Sequence, residues 1–338
     1  MLGEPRTAAI LPSRSRDEEV VTVPRRWTLI LCDRADTARP VRPEDCHGLL
    51  NTWWPQPPGE HSGAKKWAMH GWPVPLGDRL HHWTLTWLDD APPPLDPSEL
   101  IGTGQRIGDH VMEPLSVTRT FDTDYATLLS DDRPPQALRA ADLRSHTPVV
   151  TTTRDATGDR IPHVWPNPRR LFGAVHRSGG GIVGGSGAVG AVARFAPQEL
   201  AGPWLDLVLG GMAQLRRGPL PGEEIRLGEH HHADNRSVLG WQGGMRLELL
   251  GGDPRHARAF AALLELVELT GVGKYTAQGF GAVRVDTVTE PRPGDQPAAR
   301  RSRREGRRTS RRSAPRAHDP RRPPSVAETG EFEGALFD

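Results

Sequence analysis

One stretch of the 338-residue sequence decides the fold: Gly271-Val272-Gly273-Lys274-Tyr275-Thr276-Ala277-Gln278-Gly279-Phe280-Gly281. It lies between an apolar helix predicted to begin at Asp253-Pro254 and a strand predicted over residues 280–285. The four glycines allow tight turns and a close approach to a phosphate chain, and Lys274 with unpaired amides would supply positive potential. The spacing is not that of a Walker loop. The stretch therefore predicts a phosphate-binding loop, or a glycine-rich turn that serves only the fold.

The pattern upstream of this stretch predicts two α+β units of similar size. The first unit has the order β-α-β-β-α-β of a ferredoxin-like domain. Its elements are a strand at 27–32, a helix opening at Pro43 with acids in its first turn, strands at 65–70 and 80–88, a short helix at Asp96-Pro97 and a strand at 110–121. The second unit is predicted to contain strands at 143–153, 223–232 and 237–250 and helices at 168–176, 197–209 and 253–271, followed by the last strand. The predicted class is α+β, with tandem ferredoxin-like (RRM-like) domains and the glycine-rich loop near the C-terminal end of the second domain.

The length agrees with this organisation, since a domain takes about 150 residues. We predict a flexible N-terminus over 1–20, domains over 21–130 and 131–289, and a disordered Arg/Pro-rich tail over 290–338. The 43 basic and 42 acidic residues give a formal net charge of +1, which argues against a protein coated in positive charge. The tail holds 12 arginines and 8 acidic residues, net +4, which leaves −3 for residues 1–289. Residues 300–322 alone hold eleven arginines against two acids, a composition that suits RNA phosphates or a solubilising tail.

Cysteine usage and hydropathy indicate a cytoplasmic protein. Cys32 and Cys46 cannot form a disulfide framework or a cysteine-based zinc site. No apolar run approaches the roughly 18 residues that span a membrane, and residues 1–20 lack the apolar core of a signal peptide. We therefore expect no membrane partner.

Two further motifs and the tryptophans have simpler explanations than a ligand site. Residues 185–190 spell GxGxxG, but neither an apolar strand before them nor an acidic residue about 20 positions later supports a dinucleotide site. On a strand only His230 and His232 share a face, and nothing nearby completes a metal site. Seven of the ten tryptophans fall between Trp27 and Trp87; some are candidates for stacking on unpaired bases, and core packing explains most of them.

The glycine-rich stretch, with the helix 260–269 before it and the strand after it, closely resembles the C-terminal signature of the RAMP superfamily. Upstream, residues 144–148 (RSHTP) and 165–172 (WPNPRRLF) resemble a further pattern of one family within it. That family is the CRISPR-associated endoribonuclease that processes precursor CRISPR RNA. The resemblance extends over roughly residues 25–288 in order and spacing.

The resemblance implies a metal-independent and cofactor-free cleavage of CRISPR repeat RNA. A 2′-hydroxyl attacks its adjacent phosphate and leaves a cyclic phosphate and a 5′-hydroxyl. This reaction requires a base, an acid and a cation or amides that stabilise the pentacovalent phosphate. Other Cas proteins of an interference complex are further expected partners.

The resemblance also points to site residues. The run 61–67 (HSGAKKW) matches the family's catalytic loop, which makes His61 the base or acid and Lys66, or Lys65, the phosphate stabiliser. His47 on the first helix is the expected second catalytic residue. The expected RNA-binding residues are Gly271, Gly273, Lys274, Gly279, Gly281, Lys65, Arg169 and Arg170, and further arginines such as Arg216 and Arg217 are expected to contribute to the grip on the repeat.

Several alternatives stay open from the sequence alone. His61 can be an ordinary exposed loop histidine, and His47 a half-buried helix histidine. The whole chain can be a non-catalytic RAMP subunit that holds guide RNA, since that role needs the glycine loop but no His-Lys site. A third alternative is a small-molecule α+β enzyme whose glycine loop binds a nucleotide.

Overall fold

The computed structural model of the protein describes residues 24–35, 37, 39–56, 65–130, 139–154, 156–157, 160–162, 167–178, 181–232, 236–251 and 253–288. These residues all belong to one compact unit, Met1–Pro291. The predicted N-terminal segment 1–20 and the predicted tail 290–338 lie outside the described residues, and so does His61.

The first sheet contains six antiparallel strands in the order β2-β4-β1-β6-β5, with β3 also paired to β4. The strands are β1 (Arg25–Asp33), β2 (Trp67–Met69), β3 (Val74–Gly77), β4 (Leu80–Trp87), β5 (Gln105–Ile107) and β6 (His110–Asp122). Helix α1 (Pro43–Trp53) begins with proline in its first turn and carries two acids there, which suit the positive end of the helix. The predicted short helix is a 3₁₀ turn, Pro97–Leu100, capped by the Asp96 side chain.

Burial alternates along β1 because successive side chains of a strand point to opposite faces. Trp27, Leu29 and Leu31 are buried on the face that packs with Cys46 and Leu50 of α1. Six tryptophans belong to this first core: Trp27, Trp53, Trp54, Trp67, Trp83 and Trp87. Core packing therefore accounts for most of the tryptophans of the first unit.

The second sheet contains four antiparallel strands in the order β12-β15-β7-β16. Its strands are β7 (Ala140–Ser145), β12 (Leu215–Pro219), β15 (Gly244–Leu249) and β16 (Val283–Val288). Three separate two-stranded pairs accompany this sheet. They are β8 (Thr152–Arg154) with β9 (Arg160–Pro162), β10 (Ala174–Ser178) with β11 (Gly181–Ser186), and β13 (Arg226–His232) with β14 (Arg236–Gln242). The helices are α2 (Tyr125–Leu128), α3 (Pro168–Leu171), α4 (Gly187–Phe195), α5 (Gln198–Met212) and α6 (Pro254–Thr270). The core of this part lies between the sheet and helices α4, α5 and α6.

Several local predictions were wrong. The strand predicted over 143–153 ends at Ser145, and the strand predicted over 237–250 is two strands, β14 and β15, in different sheets. The helix predicted over 168–176 ends at Leu171, and strand β10 begins three residues later. Residues 185–190, which the family resemblance predicts to be a flexible loop, form the end of strand β11 and the start of helix α4. A Cβ at Gly185 would lie 2.6 Å from the Cα of Gly190, so these glycines permit backbone contact between strand and helix. The last strand begins at Val283 rather than at residue 280.

Candidate functional site

The glycine-rich loop, residues 271–282, connects helix α6 to strand β16. Helix α6 ends at Thr270 because Gly271 takes a positive φ of 74°. A 3₁₀ turn, Thr276–Gln278, occupies the middle of the loop, and it is flanked by left-handed residues, Tyr275 at φ 64° and Gly279 at φ 83°. The loop therefore has a defined conformation with its own internal turn.

Most of the loop amides are hydrogen-bonded within the protein, whereas the sequence predicted unpaired amides. Each of the amides at positions 272, 273, 274 and 281 donates to a backbone carbonyl at 2.8 Å. The acceptors are Gly281 for Val272, Leu171 for Gly273, Val150 for Lys274 and Pro148 for Gly281. The bond from Val272 closes the loop on itself, and the other three connect the loop to α3 and to residues 148–150.

Two of the loop glycines are required because backbone from outside the loop approaches them closely. A Cβ at Gly273 would lie 2.5 Å from the carbonyl oxygen of Val150. A Cβ at Gly279 would lie 2.9 Å from the carbonyl carbon of Gly71 and 3.0 Å from Cε3 of Trp72. Since Gly71 and Trp72 follow strand β2, the loop packs directly against the first sheet.

His47 of helix α1 contacts the glycine-rich loop. Its Nδ1 donates to the carbonyl oxygen of Ala277 at 3.0 Å, because a carbonyl oxygen can only accept. Its ring centroid lies 5.1 Å from that of Trp67, with the ring planes tilted by 48°. His47 is half-buried and lies between the glycine-rich loop and strand β2.

The two lysines before Trp67 are both engaged. Lys66 Nζ lies 2.5 Å from Asp89 Oδ2, with side-chain exposures of 30% and 16%. Lys65 Nζ donates to Gln56 Oε1 at 2.6 Å. The expected phosphate stabiliser therefore has a carboxylate beside it.

Lys274 extends toward the segment that precedes α3. Its Nζ donates to Thr152 Oγ1 at 2.5 Å, and its backbone amide is bonded to Val150. The side chain therefore lies along the connection that follows β7, between the loop and β8.

Arg169 and Arg170 lie on the short helix α3, whose first turn is capped by the Asn167 side chain. Arg169 is exposed and Arg170 half-buried. In the part of the chain that the structure describes, no carboxylate lies within 4.0 Å of either guanidinium. Helix α3 contacts strand β12, where Arg216 and Arg217 are exposed, so four arginines lie on neighbouring elements.

The glycine-rich loop brings several expected site residues into one region. His47 reaches it through Ala277, and the helix with Arg169 and Arg170 reaches it through the Leu171 carbonyl. Lys66 directly precedes Trp67, the ring beside His47. His61, the other expected catalytic residue, lies in a segment outside the described ranges.

A second contact between the two parts was not anticipated from the sequence. Arg26 and His70 both approach carbonyls at the C-terminus of α6, with His70 Nε2 3.2 Å from Leu269 O and an Arg26 nitrogen 3.5 Å from Glu268 O. Burial, and secondarily the positive charge of Arg26, lower the pKa of His70 to about 4 despite the hydrogen bond to Leu269. His70 is therefore neutral near physiological pH and belongs to the packing between the two parts.

Asp89 and Ala277 are the functional neighbours that sequence reasoning missed. The signal for Asp89 was the acidic pair Asp89-Asp90 just beyond the strand predicted over 80–88. Because Trp67 pairs with Trp87, the residues after β4 lie beside the lysines before β2. A backbone carbonyl such as that of Ala277 leaves no signal in the sequence.

Within the described ranges, no group of three or more metal-ligating side chains is close enough to hold a metal ion. No helix of that same part is long and apolar enough to cross a membrane.

The chain shares its fold with solved structures of CRISPR-associated proteins. More specifically, it has the fold of solved Cas6 structures. One Cas6 product complex aligns with 78% of this chain and 100% of its own, at 19% identity and a TM-score of 0.57. A second Cas6 product complex aligns with 78% of this chain and 99% of its own, at 17% identity and a TM-score of 0.56. Thermus thermophilus Cas6 aligns over 78% and 99%, at 18% identity and a TM-score of 0.52. No protein-family model and no curated protein matches the sequence.

Proposed function

We propose that the protein is an endoribonuclease that cleaves CRISPR repeat RNA without a metal ion. The observation that carries the proposal is the Cas6 fold, which extends over 78% of this chain and all of the Cas6 chain in a product complex. The crowding of His47, the Lys66 segment and α3 around one loop supports it. A Cas6 substrate mimic complex, at 16% identity and a TM-score of 0.52, is a further reason to propose RNA as the substrate.

The proposed reaction is an internal transesterification. The 2′-oxygen attacks the adjacent phosphorus while its proton passes to a base, and the bond from phosphorus to the 5′-oxygen breaks. The 5′-oxygen takes a proton from an acid, which leaves a 2′,3′-cyclic phosphate and a 5′-hydroxyl. Because RNA supplies its own nucleophile, in-line positioning accounts for much of the rate.

We propose histidine for both proton transfers, because the unperturbed pKa of imidazole lies near neutrality. His61 is proposed as base or acid and His47 as its counterpart. Lys66 is proposed to stabilise the charge that develops on the phosphate, which requires its ammonium group to turn from Asp89 toward the RNA.

The RNA is proposed to lie along the glycine-rich loop. The residues proposed to contact it are Gly271, Gly273, Lys274, Gly279, Gly281, Lys65, Arg169 and Arg170. With the loop amides engaged, the cationic side chains would provide the phosphate contacts. Exposed Arg169, with no carboxylate near it among the described residues, is the clearest candidate.

We further propose that the two sheets belong to tandem ferredoxin-like domains, residues 21–130 and 131–289. The strand orders β2-β4-β1-β6 and β12-β15-β7-β16 support this. In each set of four, the first strand along the chain (β1 or β7) lies between the third (β4 or β15) and the fourth (β6 or β16). Other Cas proteins of an interference complex are proposed as partners.

The test is cleavage of repeat RNA by the purified full-length protein in the presence of EDTA. We expect a product with a cyclic phosphate, detected by mass spectrometry, and no product with His61→Ala. RNA with a single 2′-deoxy nucleotide at the cleaved position is the matched control, and it should stay intact. A requirement for magnesium would contradict the mechanism.

A non-catalytic RAMP subunit is the second candidate function. The ion pair of Lys66 with Asp89 favours it, because the carboxylate partly neutralises the cation that would otherwise stabilise the phosphate. Tight binding of repeat RNA without cleavage, unchanged in His61→Ala, would decide for this alternative.

A further inference from the structure

The glycine-rich loop determines which nitrogen of His47 carries the proton. Nδ1 of His47 lies 3.0 Å from the carbonyl oxygen of Ala277, so Nδ1 holds the hydrogen. In the neutral imidazole the lone pair is then on Nε2. The two residues are 230 positions apart in the chain, and the contact joins helix α1 to the loop.

The carbonyl of Ala277 is fixed by the conformation of the loop. Ala277 is the central residue of the 3₁₀ turn, which is closed by bonds from Gln278 N to Tyr275 O at 2.8 Å and from Gly279 N to Thr276 O at 3.1 Å. Ala277 is 9% exposed and belongs to the tryptophan-rich core beneath the first sheet. The carbonyl therefore cannot turn away without disturbing both the turn and the core.

Gly279 holds this turn against the first part. Its positive φ of 83° is the backbone conformation that glycine adopts most readily. Its lack of a Cβ lets the loop approach Gly71 and Trp72 closely. The rings of Trp72 and Phe280 complete the contact with centroids 5.8 Å apart. On the other side of the imidazole, Trp67 restricts rotation of the ring.

We propose that the glycine-rich loop positions His47 through the Ala277 carbonyl, so that Nε2 is the nitrogen that accepts the 2′-hydroxyl proton during RNA cleavage. This inference rests on the proposed function. The proton moves from O2′ to Nε2 as O2′ bonds to phosphorus. The bond from phosphorus to the 5′-oxygen breaks, and this oxygen takes a proton from a separate acid. His47 then returns its proton to solvent. Ala277 and Gly279 are positioning residues, since they act through the imidazole.

The direct test is the tautomer of His47 in the full-length protein. Nitrogen-15 spectra of the histidine side chains, recorded near pH 8 where imidazole is neutral, distinguish a protonated from an unprotonated ring nitrogen. The His47 signals are assigned by their loss in His47→Asn. We expect the hydrogen on Nδ1. A hydrogen on Nε2 would overturn the proposal.

The catalytic consequence is tested by single-turnover cleavage at saturating repeat RNA. His47→Asn keeps an amide donor near Ala277 and removes the basic nitrogen, so we expect the rate to fall about 100-fold or more with RNA affinity unchanged. A rate equal to that of the wild type would overturn the proposal. If the wild-type protein itself does not cleave, it is the proposed function that fails.

The positioning role is tested with a matched pair of glycine variants. Gly279→Ala strains a positive φ and places a Cβ against Gly71, so we expect a mixture of His47 tautomers and cleavage about 10- to 100-fold slower. Gly102→Ala imposes similar strain at φ 78° but meets nothing within 4 Å, and it should leave both readouts unchanged. An unaltered tautomer and rate in folded Gly279→Ala would overturn the role of the loop.

Discussion

Lys66 Nζ lies 2.5 Å from Asp89 Oδ2, and the pairing of strands β2 and β4 brings the two residues together. Trp67 is paired with Trp87 in antiparallel register, and the amide of Leu88 donates to the carbonyl of Lys66 at 2.6 Å. The residue before β2 therefore lies beside the residues that follow β4. The cation proposed to act on phosphate is held by a carboxylate from the residues that follow the neighbouring strand.

Replacing Asp89 should strengthen RNA binding. Asp89→Asn removes one negative charge beside Lys66, so we expect about a two- to fivefold lower Kd for repeat RNA, measured by filter binding. Stability should change by less than about 1 kcal/mol, because the pair is partly solvated. Asp109→Asn is the control, since Asp109 pairs with Arg39 in an exposed bridge. Equal effects of the two variants would show that only net charge matters.

His70 should make stability fall at acidic pH. Its pKa is about 4 in the folded protein and about 6.5 when unfolded, so the unfolded state binds more protons between these values. Stability from this group is complete above about pH 6.5 and is lost as the pH falls toward 4. Between pH 7 and 4.5 the loss should be roughly 2 kcal/mol.

The measurement is urea unfolding of wild type and His70→Gln across this pH range. Glutamine keeps a donor for the Leu269 carbonyl but does not titrate, so the difference between the two proteins isolates His70 from the carboxylates. A difference that stays constant from pH 7 to 4.5 would contradict the prediction.

Much of the fold follows from the sequence because it depends on local patterning. Alternation along residues 80–88 predicted strand β4, and Pro43 with the acids after it predicted the start of α1. The flexible loop predicted over residues 185–190 was wrong because these glycines serve contacts between separate backbone segments, such as Gly185 with Gly190. Composition alone does not distinguish a glycine needed for contact from one that loosens the chain.

The candidate site was less predictable because its contacts are long-range. Sequence reasoning selected His47 and Lys66, but their partners Ala277 and Asp89 depend on how helix α1, strand β4 and the glycine-rich loop pack together. The engaged amides of the loop likewise depend on the carbonyls of Pro148, Val150 and Leu171. Such pairings depend on tertiary packing, which local sequence patterns do not specify.

Asp142 and Arg246 should be a sensitive point for stability. They face each other across β7 and β15 in a two-bond pair, at 2.8 and 3.2 Å, with side-chain exposures of 12% and 9%. Asp142→Ala leaves a buried guanidinium without its carboxylate, so we expect a loss of about 3–5 kcal/mol in urea unfolding. The double variant with Arg246→Met should recover part of this loss. No recovery would show that the aspartate has another structural role.

The arginine-rich tail should supply much of the salt-sensitive RNA affinity. Residues 300–322 carry eleven arginines and two acids, whereas residues 1–289 have a net charge of −3. Many cations of the folded part are already paired, including Arg34, Arg42, Lys66, Arg144 and Arg246. Each phosphate that the tail neutralises on single-stranded RNA adds about 0.7 to the slope of log affinity against log salt.

Removing residues 292–338, which lie outside the compact unit Met1–Pro291, should therefore flatten this slope. With about six phosphates contacted, the slope should fall by about 4, and the Kd values should converge as the salt concentration rises. Full-length protein with the eleven arginines of 300–322 replaced by glutamine separates charge from length and should behave like the truncated protein. Cleavage at saturating RNA should persist in both, because the proposed catalytic residues precede the tail. Equal slopes for the wild type and both variants would place the electrostatic contacts on the folded part, with Arg169 and Arg170 as the first residues to substitute.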